Sequence, residues 1–223
     1  MQRVSVPPAI FTFDIFGTVV DWRRGLAREL AAAGYELSDA DFERVVDAQG
    51  RDEQAAFRPY REITARSLVG ELGLAEAEAA RIGAELGDWP RFADAEAGVR
   101  ELLALAPCVA MTNSDREHGA AVQRGLGFEL SAWICAEDVG VYKPAREFWY
   151  AVSRRLGTPL GPAWWHVSAY ADYDLEVARE LGLSTVFVER PLCRPGPSDY
   201  QVRDLLELAA LAAPAMRARD RSV

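Results

Sequence analysis

Phe11-Thr12-Phe13-Asp14-Ile15-Phe16-Gly17-Thr18-Val19-Val20-Asp21 is the stretch on which the reading of this chain turns. A short apolar, β-prone run, Ala9 to Phe13, ends in a carboxylate, and a Gly and a Thr follow within four residues. That pattern predicts a buried strand whose carboxyl end delivers Asp14 into a turn. In open parallel α/β sheets, ligands bind just outside the carboxyl ends of the strands. Asp14 is therefore placed as a nucleophile or a metal ligand. Position 16 is Phe16, so no second acid stands two residues after Asp14.

Working outward, the texture of the chain changes twice. Residues 22–91 read as almost wholly helical. Asp21 introduces a helix over Gly25–Ala33, and Asp39 opens another running towards Ala56. Pro59 interrupts, Tyr60–Leu72 continues, and Ala75–Leu86 closes at Gly87. From about residue 92, strand and helix alternate: helix Ala97–Leu105, strand Cys108–Thr112, helix Glu117–Leu126, strand Trp133–Ala136, helix Arg146–Leu156. Strand Trp165–Ser168, helix Leu175–Leu181 and strand Thr185–Val188 follow. A Pro/Gly-rich loop then leads to a last amphipathic helix over 199–212, and the tail from Arg217 reads as frayed. Alternating units of this length imply an α/β fold with a doubly wound parallel sheet. The expected division is a core of residues 1–21 and 92–223, with residues 22–91 inserted after the first strand as a helical cap.

Composition narrows the classes. The 223 residues fit one α/β domain with an insertion, and half of them are apolar. A formal charge of −9 with no Lys/Arg run argues against nucleic acid or an anionic membrane as partner. No apolar stretch is long enough to span a bilayer, and the N-terminus lacks a signal-peptide pattern. Three widely spaced cysteines, Cys108, Cys135 and Cys193, read as reduced thiols of a cytoplasmic protein.

Four strand ends carry polar residues: Asp14 with Thr18; Thr112-Asn113-Ser114-Asp115; Lys143-Pro144 opening a helix; and Ser168-Ala169-Tyr170-Ala171-Asp172-Tyr173-Asp174. In this order and over essentially the whole chain, they resemble the four motifs of the haloacid dehalogenase superfamily. The resemblance implies the core-plus-cap architecture with Asp14 as nucleophile. Phosphatases of that superfamily carry Asp-x-Asp, the second Asp protonating the leaving alcohol. They also hold Mg²⁺ with an acid five residues before the final Asp. Those positions are Phe16 and Ala169 here. Residues 14–23 instead look like the (S)-2-haloacid dehalogenase branch, which uses no metal or other cofactor.

The resemblance implies displacement at C2 of a small carboxylate substrate, giving an aspartyl ester that water then cleaves. Lys143 would keep Asp14 ionised. Thr18, Thr112 and Asn113 would orient Asp14 or the substrate carboxylate, and Asp174 would activate or orient water. A cap arginine, Arg44 or Arg51, would meet the substrate or departing halide. Phe16, Trp22 and Trp149 would form an apolar wall. His166 and His118 read as a structural and a surface histidine. Ala169 and Ala171 stand where the branch carries Ser and Asn. Three other readings stay open: ring-opening displacement of nitrogen, as on azetidine-2-carboxylate; a Mg²⁺-dependent small-molecule phosphatase; and a binding protein that has lost water activation. The family also implies a homodimer.

Overall fold

The computed structural model describes residues 4–220. Its centre is a six-stranded sheet with every pairing parallel: β1 (Ile10–Phe13), β2 (Cys108–Thr112), β3 (Ala132–Cys135), β4 (Trp164–Ser168), β5 (Ser184–Val188) and β6 (Tyr200–Val202). The spatial order is β3-β2-β1-β4-β5-β6. β1 therefore lies in the middle, and the strand order reverses beside it, the place where doubly wound sheets open a crevice at their carboxyl ends. Helices cover both faces, so β1, β2 and β4 are buried along their whole length. This is why they read as continuous apolar runs rather than alternating ones. Phe13 pairs with Ala110 on one side and Val167 on the other, setting the ends of the three central strands level with one another.

Four helices follow β1 before α5 (Ala95–Leu103) leads into β2: α1 (Trp22–Ala32), α2 (Asp39–Glu53), α3 (Tyr60–Leu72) and α4 (Glu76–Ala84). Each starts and stops for a local reason. The Asp21 carboxylate caps α1 by accepting from Arg24 N–H, and Ser38 and Asp41 form a reciprocal capping box on α2. Pro59 cannot cap α3 with a side chain. Asp115, fully buried beyond β2, instead accepts the Tyr60 and Arg61 N–H groups at 2.7 and 3.1 Å. His118 lies close by, its Nε2 3.0 Å from the Gly83 carbonyl at the end of α4. His118 is buried, which corrects the expectation of a surface histidine. After β2 come α5's partners in the alternating half. α5 itself (Ala95–Leu103) precedes that strand, while α6 (Arg116–Leu126), α7 (Ala136–Val139), α8 (Arg146–Leu156), α9 (Glu176–Glu180) and α10 (Leu205–Asp220) follow it.

Most elements shift by one to three residues at an end from the expected bounds, and the largest differences lie near the C-terminus. The run assigned to a single helix over 199–212 begins as β6, a three-residue edge strand on β5, and the helix starts at Leu205. That helix continues through Arg217 to Asp220, so this part of the tail is ordered helix; residues 221–223 lie outside the described residues. Among the described residues no helix is long and apolar enough to cross a membrane.

A buried ion pair ties the far side of the sheet to the first turn. Arg190 sends two parallel hydrogen bonds of 2.8 Å to Asp94, donates to the Thr18 carbonyl, and stacks 4.2 Å from the Phe92 ring centre. Burial alone would raise the Asp94 pKa, but the Arg190 hydrogen bonds outweigh it and hold the carboxyl below its ordinary range. Removing one partner strands the other charge, so Arg190→Ala should cost about 3–5 kcal/mol of stability. Urea unfolding checks this; a loss under about 1 kcal/mol would show that the pair does not anchor the turn.

Candidate active site

The turn after β1 delivers Asp14 as expected, and its backbone N–H donates to the Val167 carbonyl at 3.0 Å, fixing it between β1 and β4. Gly17 follows with φ of +94°. A Cβ there would fall 2.5 Å from the Tyr170 ring, so glycine serves both the turn and the close approach. Thr18 returns its side chain to Asp14, donating to Oδ2 at 2.9 Å, while accepting from Ala169 N–H at 3.0 Å.

Lys143 is completely buried. Its Nζ donates to Asp14 Oδ1 at 3.2 Å and to Asp174 Oδ2 at 2.8 Å. Asn113 fixes the backbone of Lys143 from both sides: its Oδ1 accepts Lys143 N–H at 2.8 Å, and its Nδ2 donates to the Lys143 carbonyl at 2.9 Å. The same Nδ2 donates to the Tyr173 hydroxyl, and the Tyr173 ring lies 5.6 Å from Nζ. Asn113 thus acts on the lysine rather than on Asp14 directly.

Asp174 is held twice. Besides Lys143, its Oδ1 lies 3.0 Å from His166 Nε2. The indole N–H of Trp164 donates to Thr12 Oγ1 at 2.7 Å, and Thr12 Oγ1 lies 2.8 Å from His166 Nδ1. Trp is donor only, so Thr12 Oγ1 accepts from it and uses its remaining hydrogen-bonding capacity at His166 Nδ1. Burial works to raise Asp174, but Lys143 and then His166 overcome it and bring its pKa down to about 2. A carboxylate so committed is a strong anion and a weak base. Its geometry suits holding Lys143 better than the water activation expected from sequence. His166 matches the structural role expected of it, as the partner that completes this buried chain. Lys143 stays charged: its two carboxylates raise its pKa against burial. Asp14 is pushed above the ordinary carboxylate value by burial, Lys143 opposing and Asp174 adding to the rise.

Above Asp14 lies a cavity of about 460 Å³, a size suited to a small ligand. Phe16, Trp22, Thr112, Asn113 and Arg51 line it, as do Tyr60, Tyr170, Tyr173, Glu53 and Arg194. Two expected residues are elsewhere. Trp149 is fully buried in the core with its ring edge-on to His166, 4.6 Å between centres, and forms no part of the lining. Arg44 lies on the outer side of α2, where it pairs with Asp41 at 2.5 Å and with Glu71. Arg51 reaches the rim, but its guanidinium pairs with Glu71 at 3.1 Å.

The cation within the lining is Arg194, from the Pro/Gly-rich loop after β5. Its backbone bridges the fourth motif, donating to the Ala169 carbonyl and accepting from Ala171 N–H. Its Nη2 meets Glu43 and Asp47 of α2 at 2.9 and 2.7 Å. The loop also explains Ala171: a Cβ on Gly196 would lie 2.8 Å from the Ala171 Cβ, so the position is packed rather than polar. Nothing in the linear pattern marked Arg194. Glu53, in the last turn of α2, carried one signal, an acid where the helix dipole disfavours it.

The residues present do not fit the Mg²⁺ of the phosphatase pattern. Both Asp14 oxygens and Asp174 Oδ2 accept from Thr18 or Lys143, with Lys143 in the place between the two carboxylates and His166 3.0 Å from Asp174 Oδ1. Asp172 is half-exposed and faces Arg194 at 3.8 Å. Among the described residues no group of three or more acidic, His or Cys side chains is arranged to hold a metal. Cys108 and Cys135 are buried free thiols whose pKa burial raises, Cys135 to about 12, which leaves them inert.

A family model described as haloacid dehalogenase-like hydrolase matches residues 8–165. Among solved structures, the L-2-haloacid dehalogenase PA0810 is 29% identical, with a TM-score of 0.77 over 93% of this chain and 99% of its own. The L-2-haloacid dehalogenase of Xanthobacter autotrophicus with chloropropionic acid covalently bound is 18% identical, at a TM-score of 0.79 over 92% of this chain and 98% of its own. The magnesium-bound HAD-hydrolase YfnB of Bacillus subtilis is 15% identical, at 0.77 over 94% and 100%. The last two likenesses show the fold alone. No curated protein matches the chain.

Proposed function

The chain belongs to the haloacid dehalogenase-like hydrolases, and we propose that it acts without a metal at C2 of a small carboxylic acid, through an ester on Asp14. The observation that carries this is the clamp on Asp14. One oxygen is held by Thr18 and the other by Lys143, and the carboxylate faces a cavity walled by Phe16, Trp22 and tyrosines. A carboxylate so oriented, and charge-compensated rather than protonated by its neighbour, is prepared to attack carbon. Residues 22–91 serve as the cap over it.

In the first half-reaction an Asp14 oxygen forms a bond to C2 and the leaving group departs with its electron pair. In the second, water adds to the Asp14 carboxyl carbon, the ester C–O bond breaks and a 2-hydroxyacid leaves. Arg194 is the cation for the substrate carboxylate. Its Nη2 is committed to α2 and its Nη1 pairs loosely with the exposed Asp172 at 3.8 Å, while Nε forms no hydrogen bond among the described residues. Lys143 cannot serve, being fully buried beneath Asp14. Likeness to L-2-haloacid dehalogenases makes (S)-2-haloacids the leading substrates.

A screen of small 2-substituted acids for released halide or amine, with and without EDTA, tests the reading. The expected result is turnover that survives chelation, with a mass increase on the Asp14 peptide after a quenched burst. Activity seen only with Mg²⁺ and only on phosphate esters would overturn it.

A further inference from the structure

The cavity holds four carboxyl groups, and three are accounted for. Asp14 is clamped by Thr18 and Lys143, and Asp47 and Asp172 face Arg194. The fourth, Glu53, forms no ion pair among the described residues. It lines both the main cavity and the adjoining one that reaches Lys143 and Tyr142. Bromide or chloride leaving C2 needs no acid. A free carboxyl over the reacting centre therefore calls for another use.

A second gap points the same way. Ester hydrolysis releases a proton, and Asp174 is sealed in the core, with Lys143 on Oδ2 and His166 Nε2 3.0 Å from Oδ1. His166 is sealed behind Asp174. Glu53 is the carboxyl in the lining that is neither clamped nor ion-paired.

We propose that Glu53 is a catalytic acid–base residue, giving its proton to a leaving atom that departs C2 as a strong base, an amine nitrogen or fluoride, and recovering one when water cleaves the ester. The assignment rests on the aspartyl-ester reading above. In the first half-reaction the Asp14 O–C2 bond forms and the bond from C2 to N or F breaks. The electron pair goes to the leaving atom, which takes the Glu53 proton. In the second, water supplies oxygen to the Asp14 carboxyl and one proton to the hydroxyacid oxygen. Its other proton returns to Glu53, and Asp14 is again a carboxylate.

The surroundings keep Glu53 loaded. Burial pushes its pKa up to about 8, with Asp14 and Asp174 adding to the rise and the Asn113 hydrogen bond and Lys143 opposing it. Tyr60, Tyr142 and Tyr173 also face it, and burial keeps all three phenols protonated. Glu53 therefore carries its proton at pH 7 and loses it as pH rises through about 8.

The test compares the unmodified protein with Glu53→Gln in single turnovers on 2-bromopropionate, 2-fluoropropionate and azetidine-2-carboxylate. Bromide, fluoride and ring opening are read separately, each beside the adduct on the Asp14 peptide. In Glu53→Gln, the rate on the fluoro acid or the azetidine relative to the bromo acid should fall about 100-fold, the usual weight of a positioned acid. The unmodified protein should show an alkaline limb near pH 8 on the basic leaving group but not for bromide, a reading that needs no variant. Loss of fluoride alone or of ring opening alone identifies which leaving atom the acid serves. An unchanged ratio, the absence of that limb, or displacement of bromide only would overturn the role of Glu53 and leave the Asp14 ester standing. No Asp14 adduct with any of the three would overturn both.

Discussion

Asp14→Asn should abolish turnover, by about 10⁴–10⁶-fold on the scale seen when a covalent nucleophile is removed, while the protein remains folded. The second half of that expectation follows from the pKa. Burial raises Asp14 above the ordinary carboxylate value despite Lys143, so its ionised form is disfavoured in the fold relative to the unfolded chain. A neutral amide relieves that strain, and Lys143 keeps Asp174 as its counter-ion. The melting temperature of Asp14→Asn should therefore equal or exceed that of the parent. The same shift sets the pH dependence. Attack requires ionised Asp14, so the single-turnover rate should fall as pH drops, through a limb lying above the usual 3.8. Oxygen labelling separates the candidate chemistries. In H₂¹⁸O the first turnover should place the label in the Asp14 side chain, with unlabelled oxygen in the hydroxyacid. Label in the first product would mean that water attacks the substrate, and Asp14 would then be a base.

The framework of this site was legible because each part announces itself locally. Cys108–Thr112, Tyr60–Leu72 and Arg146–Leu156 match the structure residue for residue. Strand β2 is a continuous apolar run ending in Thr-Asn, and α3 and α8 end at glycines in the left-handed region. Asp14, Thr18, Thr112, Asn113, Lys143 and Asp174 come together because strand ends in a parallel sheet converge on one edge. What was missed arises from packing between segments far apart in the chain. Strand β6 is three residues long, and only its pairing with β5 makes it a strand. Trp149 reads as cavity wall from the linear pattern, yet in the structure its ring packs in the core edge-on to His166. Arg44 and Arg51 are both on α2, but which side of that helix meets the cavity depends on how α2 sits over the core.

The roles proved harder to read than the positions. Asp174 looks like a water activator as long as its neighbours are unknown; Lys143 and His166 on its two oxygens turn it into a structural anion. His166 reads as an inert core residue, and its Nε2 lies 3.0 Å from Asp174 Oδ1, on the side away from Lys143. Ala169 and Ala171 look like losses. Ala169 still offers its backbone N–H to Thr18, and Ala171 leaves room for the loop that brings in Arg194.

In the proposed mechanism Lys143 serves catalysis and stability through one charge, and its replacement should have the largest combined effect. Lys143→Met keeps the volume and removes the ammonium, leaving two carboxylates facing each other without solvent. Breaking a buried pair this way costs about 3–5 kcal/mol, because the remaining charge is stranded. At this chain length that corresponds to roughly 6–20 °C in Tm. The sign with pH follows from Asp174. Its folded pKa near 2 lies below the ordinary carboxylate value of 3.8, so its contribution is present above about pH 4 and fades as pH falls towards 2. The gap between Lys143→Met and the parent should therefore narrow in acid. Adding Asp174→Asn removes the second carboxylate and should recover much of the lost stability. Turnover should stay down by at least about 10³-fold in both variants, since Asp14 has lost the charge that keeps it ionised at 3.2 Å. A double variant that regained activity together with stability would show that Lys143 only supports the fold. A single variant with normal turnover would remove it from the site altogether.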